Sequence, residues 1–270
     1  MDVFFLGGGD LEMQTIREVL SERGAEFSDL RLSWGAKASA YANVITKCLC
    51  NGQTPVLIEL VNDLDPSIRV RCEVIDHHGE MAGRDRPTAL EQVAKRIGIT
   101  KSEFEFNRWW MLVAANDRGH IRGMKTLVPP ASDVEIREVR TRDMAAQGVT
   151  PDLLEAARQS IENARELVGG RLTVVSCPND RTGLVAEFME KAWGGPGFKN
   201  LFVRGATEVA FYGSGELVAS LAARSPAAPA AWFGGSLPEF GFWGARSSAL
   251  SFSPITVLEA EVVGGKAGSE

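Results

Sequence analysis

Cysteine and histidine are scarce in this chain, long apolar runs are missing, and basic residues never cluster. The four cysteines, Cys48, Cys50, Cys72 and Cys177, include no C-x-x-C pair. Cys48 and Cys50 stand one residue apart, poor spacing for a zinc knuckle or a disulfide, so buried thiols in a reducing compartment are expected. No window approaches the roughly eighteen uninterrupted apolar residues of a membrane span. The N-terminal MDVFFLGGGD lacks the basic region and small-residue cleavage site of a leader. The expectation is a soluble, cytoplasmic protein without a membrane partner. Lysine and arginine form no run and the net charge is −6. This argues against coating long duplex nucleic acid, an affinity that comes mainly from phosphate neutralisation. A small anionic substrate, held by a few local arginines, stays open.

What is present is enough for a real core: 270 residues, 44% of them hydrophobic, allow one large domain or two modest ones. The first half alternates short apolar runs with helical patterns, the signature of a parallel sheet with crossover helices. The predicted strands are VFFL (3–6), LRLSW (30–34), PVLIEL (55–60), VRCEVI (70–75) and WWMLVAA (109–115). Helices are predicted over DLEMQTIREVLSERG, KASAYANVITKCLCNG and RPTALEQVAKRIGI. Residues 131–169 read as a helical linker broken near GVTPD, with Ser132 and Glu135 as a capping box and Pro151 in the first turn of its second helix. Residues 170–270 form a smaller α/β domain. Its strands are predicted near RLTVVSC, NLFVRG, TEVAFYG, AAWFGGS and SPITVLEAEVV, and its helices near RTGLVAEFMEKAW and GELVASLAARS. ARSPAAPAAW (223–232) reads as a loop and the final GGKAGSE as a frayed end. The fold class is therefore α/β: a doubly wound, mainly parallel sheet domain over 1–130, the linker, and the C-terminal domain. Two such lobes are expected to enclose a cleft.

Ligands in an open parallel sheet collect beyond the carboxyl ends of the strands. Asp10 and Glu12 follow the first predicted strand, Glu59 ends the third, Asp76, His77 and His78 follow the fourth, and Asp117 and His120 follow the fifth. So many acids at one edge repel each other unless cations are present, and oxygen donors with imidazole suit Mn²⁺, Mg²⁺ or Zn²⁺. Each residue also has a plainer role: Asp10 can cap the helix after it, Asp117 can sit in an ordinary turn, and a histidine pair is common in surface turns. A charge such as Glu59 between Ile58 and Leu60 needs a partner, and Asp63 is the alternative if Glu59 points away. FLGGGD also invites a dinucleotide reading, but Glu12 occupies the third-glycine position of G-x-G-x-x-G and repels a pyrophosphate.

VIDHHGE, after its apolar strand, resembles the defining motif of the DHH phosphoesterase superfamily. The order of the other acids fits the same family: Asp10 and Glu12 resemble its first motif, Glu59 its second and Asp117 its fourth. FGGSLPEFGFWGA (233–245) resembles the glycine-rich signature of the family's C-terminal domain, with Gly234 and Gly235 kept and Ser236 and Leu237 in place of Gly and His. No histidine precedes Asp10 where the family's first motif has one. The resemblance implies a metal-dependent phosphodiesterase acting on a short single-stranded oligonucleotide or a cyclic dinucleotide. One or two Mn²⁺ or Mg²⁺ ions would be held by Asp10, Glu12, Glu59, His77 and Asp117, with a homodimer allowed. A bound water would fall in pKa from about 15.7 towards about 7 and supply the nucleophile. Asp76 would support the site and His78 would face the phosphate, with Arg84, Arg86 or Arg118 balancing its charge. Arg118, His120, Gly234, Gly235 and Arg246 are the substrate-binding candidates, and Phe240, Phe242 or Trp243 could stack on a base. The rival is a non-catalytic nucleotide sensor with a degraded site, favoured by the absent histidine and the altered glycine signature.

Overall fold

The computed structural model describes residues 1–190, 194–227 and 229–265. The chain divides into two compact units, one of residues 1–77 with 86–148, the other of residues 78–85 with 149–270.

In the first unit β1 (Asp2–Phe5), β2 (Glu26–Ser28), β3 (Thr54–Ile58) and β4 (Glu73–Ile75) form a parallel sheet in the order β2-β1-β3-β4. Helix α1 (Leu11–Glu22) joins β1 to β2, and α2 (Ala42–Cys50) joins β2 to β3. β2 and β3 flank β1 on opposite sides, so right-handed crossovers put α1 and α2 on opposite faces, the doubly wound arrangement expected. Strands buried on both faces need no alternation, hence the near-continuous apolar runs. Val3, Phe5 and Leu57 join Tyr41, Ile45 and Leu49 in one core cluster. Phe4 and Val56, register partners, point by strand period to the other face and are equally buried. α3 (Pro66–Arg69) lies between β3 and β4, and α4 (Ala89–Arg96), α5 (Lys101–Phe106) and α6 (Arg108–Lys125) follow β4. Helix α7 (Asp133–Ala146) packs on α1 and α6.

Two predicted strands of this unit are corrected. LRLSW contributes only an isolated bridge between Leu32 and Gly8. The Asp29 carboxylate accepts from the Arg31 N–H at 2.7 Å, and the Tyr41 hydroxyl accepts from the Leu30 N–H at 2.9 Å. Side chains thus take the donors that a strand ladder would use, and the paired segment lies earlier, at Glu26–Ser28. WWMLVAA lies inside α6, because a short apolar run has no periodicity to tell a buried strand from a buried helix. The deciding feature stands just ahead of it: the Asn107 side chain accepts from the Trp110 N–H at 3.2 Å and starts the helix.

In the second unit β5 (Arg165–Leu167), β6 (Leu172–Ser176), β7 (Leu201–Arg204), β8 (Glu208–Ser214), β9 (Ala231–Gly234) and β10 (Phe240–Arg246) form one sheet in the order β5-β6-β7-β8-β10-β9. Only β6 and β7 pair in parallel. Its remaining helices are α8 (Pro151–Glu162), α9 (Thr182–Glu187), α10 (Gly215–Ala222) and α11 (Pro254–Val263). Phe202, Phe211 and Trp243 pack with Leu217, Val218 and Leu221 of α10 and Leu258 and Val262 of α11. SPITVLEAEVV, expected as a strand, is α11. Ser253 caps it and Pro254 occupies its first turn, a start signal that outweighs the β-branched composition. β10 lies within the segment set aside for the glycine signature, and β5 was not anticipated.

Of the linker, α7 belongs to the first unit and α8 to the second, where it packs on α9 and β6. The end of the RTGLVAEFMEKAW helix at 191–193, position 228 of the alanine- and proline-rich loop, and residues 266–270 of the tail lie outside the described residues. No helix among the described residues is long and apolar enough to cross a membrane.

Candidate metal centre

The carboxyl ends of the four parallel strands share one edge of the first unit's sheet. β1 runs out through Gly7, Gly8 and Gly9 to Asp10, which caps α1 by accepting the Met13 N–H at 2.8 Å. None of these three glycines sits in a turn with positive φ. A Cβ at Gly7 would stand 2.6 Å from the Ile58 carbonyl oxygen and 2.8 Å from that of Glu59, and one at Gly8 would stand 2.7 Å from Trp34 Cα. Three backbone segments therefore pass closer here than side chains permit. Glu12, in the first turn of α1, is 2% exposed. At the end of β3 the backbone of Glu59 takes a φ of 50°. This left-handed conformation is costly for a residue other than glycine, and such strain concentrates at functional sites.

Four of the five expected ligands converge. Glu12, Glu59, His77 and Asp117 each offer one donor atom, and these atoms lie within 4.8 Å of one another. His77 Nε2 is 2.5 Å from Asp117 Oδ2, 3.1 Å from Glu59 Oε1 and 3.8 Å from Glu12 Oε2. Asp117 comes from the body of α6 rather than from a strand end, two residues before the helix breaks at Gly119 and His120. Asp10 is outside the four. One of its oxygens is committed to the cap, although it feels the charges of Asp117 and Glu59. Asp63 accepts from the Ser39 N–H and Oγ, and so is not the alternative to Glu59.

The electrostatics fit a cation. Burial raises the Asp10 and Glu12 carboxyls well above the ordinary range, and the neighbouring Asp117 and Glu59 charges raise them further. Burial would lower His77, but the charge and hydrogen bond of Asp117, with Glu59 and Glu12, push it up to about 12. Glu12 Oε1 accepts from the Leu90 N–H at 2.9 Å, while its buried Oε2 makes no hydrogen bond among the described residues. A buried carboxylate oxygen without a donor is costly, and a divalent ion would satisfy it. Oxygens plus one imidazole are the donor set of Mn²⁺, Mg²⁺ or Zn²⁺.

The sequence gives little hint of what stands behind these ligands. Asn116, Arg140 and Asp143 are buried together. Arg140 Nη1 donates to Asp143 Oδ2 at 2.6 Å and to Asn116 Oδ1 at 2.8 Å, while Asp143 Oδ1 accepts from the Leu11 N–H at 3.1 Å. The network thus ties the residue before Asp117 to the residue between Asp10 and Glu12. Its signal was the i,i+3 Arg–Asp pair in RTRD, which reads as solvated charge when α7 is taken for a connector.

The other candidate residues make contacts of their own. Asp76 lends its carbonyl to Gln92 Nε2 at 3.0 Å. Arg118 pairs with Glu91 and donates to the Arg86 carbonyl oxygen at 3.1 Å. His120 sits at the break in α6 with a φ of 56°. His78 and Arg84 belong to the second unit. There the His78 ring meets Phe242 edge-on with centroids 6.4 Å apart, and Arg84 pairs with Glu239 at 2.5 Å. Gly234 packs under Phe242 and beside His78, and Gly235 against Gly241. Arg246 ends β10 while Gly241 lies near its start. At about 3.4 Å per residue they are roughly 17 Å apart along the strand. Trp243 is fully buried with Nε1 donating to Ser225 Oγ at 2.8 Å, which corrects its reading as a base-stacking surface.

No family model and no curated protein matches the chain. Solved structures do. An exopolyphosphatase-related protein from Bacteroides fragilis matches with a TM-score of 0.52 at 10% identity, over 98% of this chain and 92% of that one. RecJ from Thermus thermophilus in complex with Mn²⁺ matches with a TM-score of 0.50 at 13% identity, over 97% of this chain. The chain spans 52% of that RecJ. The chain shares its fold with these two proteins, and the buried acidic and histidine cluster lies where such a sheet collects ligands.

Proposed function

We propose that this protein is a metal-dependent phosphoesterase that hydrolyses a phosphodiester in a small nucleotide, a short oligonucleotide or a cyclic dinucleotide. The convergence of Glu12, Glu59, His77 and Asp117 carries the reading. These four would hold Mn²⁺ or Mg²⁺, with Asp10 available through the oxygen that does not cap α1. When bound, such an ion polarises a phosphoryl oxygen and makes water a competent nucleophile near neutral pH. The chain's own work is placement. The strained Glu59 backbone sets one carboxylate, the α1 cap sets Glu12 two residues after Asp10 in the first turn, and the Asn116–Arg140–Asp143 network fixes the approach of α6. Asp76 and His78, flanking His77 in the chain, are assigned the supporting and phosphate-facing roles.

The rival reading, a nucleotide sensor with a degraded site, draws on Asp10, whose commitment to the cap leaves fewer ligands for a second ion. Metal analysis of the purified protein, with hydrolysis assays on short oligonucleotides, cyclic dinucleotides and pyrophosphate, separates the two. Wild-type turnover that disappears in His77→Ala supports the enzyme. Nucleotide binding without turnover supports the sensor, and absence of both metal and turnover ends the enzyme reading.

A further inference from the structure

Residues 29–37 leave the edge strand β2 and cross the carboxyl edge of the first unit's sheet. They touch the extension of β1 at the Gly8–Leu32 bridge and that of β3 at the Lys37–Val61 bridge. These are the two segments that carry Asp10 with Glu12 and Glu59. Five hydrogen bonds or ion pairs fix the crossing. Arg17 Nε meets Asp29 Oδ2 at 2.5 Å. The Tyr41 hydroxyl accepts the Leu30 N–H at 2.9 Å and donates to the Leu6 carbonyl oxygen at 2.7 Å. The Gly9 N–H donates to Leu32 and the Val61 N–H to Ala36, both at 2.9 Å. Arg31 is held at a φ of 53°. A segment pinned this firmly would be expected to turn its apolar groups inward, yet Trp34 is 58% exposed and Leu30 52%. Trp34 sits between the two bridges, with its backbone pressed on Gly8.

We propose that Trp34 is a nucleobase-stacking platform of this site, so that the substrate carries a base beside the phosphoryl group it loses. The inference rests on the phosphoesterase reading for its chemistry, and on the fixed backbone and exposed side chain of Trp34 for its location. An aromatic face stacks on any base without reading sequence. Its rigid seat means that little order has to be gained when the ligand arrives. Arg31 and Lys37 lie three residues to either side of Trp34 on the same segment.

The test compares kcat/KM for a diadenosine dinucleotide with that for base-free pyrophosphate. Trp34→Ala is expected to lower the dinucleotide-to-pyrophosphate ratio by about 5- to 150-fold, chiefly through KM, and Trp34→Phe to restore most of it. An unchanged ratio overturns the proposal. If neither substrate is turned over, the parent reading has failed and binding alone decides Trp34. A hydrolysis-resistant phosphorothioate dinucleotide should quench the tryptophan fluorescence of the wild type saturably, and an abasic analogue should not. The quench should vanish in Trp34→Phe. Equal quenching by the abasic probe, or quenching retained in Trp34→Phe, overturns the proposal.

Discussion

His77 Nε2 lies 2.5 Å from Asp117 Oδ2, joining the segment just after edge strand β4 to the body of a helix forty residues on in the chain. This contact brings together two segments that the sequence separates, and it makes removal of either partner informative. His77→Ala or Asp117→Asn should weaken Mn²⁺ binding by at least the ~10–100-fold that loss of an outer partner of a ligand costs. Isothermal titration with Mn²⁺ measures it. Affinity within twofold of wild type would show that the ion is held elsewhere.

The same cluster predicts how stability varies with pH in chelator. Asp10 and Glu12 are raised above their ordinary 3.8 and 4.5, and His77 above 6.5 to about 12. All three therefore bind more protons folded than unfolded as pH rises from about 4 upward. A raised carboxyl destabilises the fold once pH exceeds its unfolded value, and a raised histidine gives stability that fades as pH climbs towards its folded value. Both signs agree: the urea midpoint in EDTA should be lower at pH 8 than at pH 5. Mn²⁺ should raise the pH 8 midpoint most, because it replaces the missing protons. Equal midpoints in EDTA would contradict the burial of these charges.

Glu59, one of the proposed ligands, has a strained backbone, φ 50°. Glu59→Gly should leave the metal-free protein as stable as wild type or more so, by up to ~1 kcal/mol, because glycine accepts this conformation and one buried carboxylate is gone. Mn²⁺ affinity should fall at the same time. Thermal midpoints with and without Mn²⁺ test both halves, and a loss of several degrees in EDTA would show that Glu59 is structural.

Gly7 faces the carbonyl oxygens of Ile58 and Glu59 at distances no side chain tolerates. Gly7→Ala should cost about 1–3 kcal/mol by overpacking and displace Glu59, weakening metal binding in the same variant. Gly24→Ala is the control, since its positive φ of 65° faces open space. It should cost only the ~1 kcal/mol of that backbone conformation and spare the metal. Denaturation midpoints and Mn²⁺ titrations separate them.

Arg140 and Asp143 form a buried pair, with side chains 6% and 8% exposed. Arg140→Met should lose about 3–5 kcal/mol by leaving Asp143 buried without its cation. Arg140→Met with Asp143→Leu should recover part of that, short of wild type because Leu11 then lacks its cap. A double variant no better than the single one would mean that Arg140 acts mainly through its other neighbours.

The sequence carried the parallel sheet, the capping boxes and the linear order of the acids. These are local or periodic signals, and they survive without tertiary information. It misread WWMLVAA and SPITVLEAEVV because composition favoured strands while the caps at Asn107 and Ser253 decided for helices. Asp117 still entered the expected ligand set, because its place in the order of motifs did not depend on the element that bears it. The capping role of Asp10 and the buried Arg140 network were hidden for the opposite reason. Both depend on which helix packs on which, and α7 had been taken for a connector.

The chain leaves the first unit between His77 and His78, returns at Arg86, and leaves again after Gly148. Neither unit is therefore an uninterrupted length of polypeptide. A fragment ending at Gly148 would carry residues 78–85 as an orphan loop, severed from Phe242, Glu239 and the Leu237 carbonyl that hold it. Supplied separately, residues 149–270 would have to recapture that loop, so reassembly of the halves depends on the eight residues directly after His77.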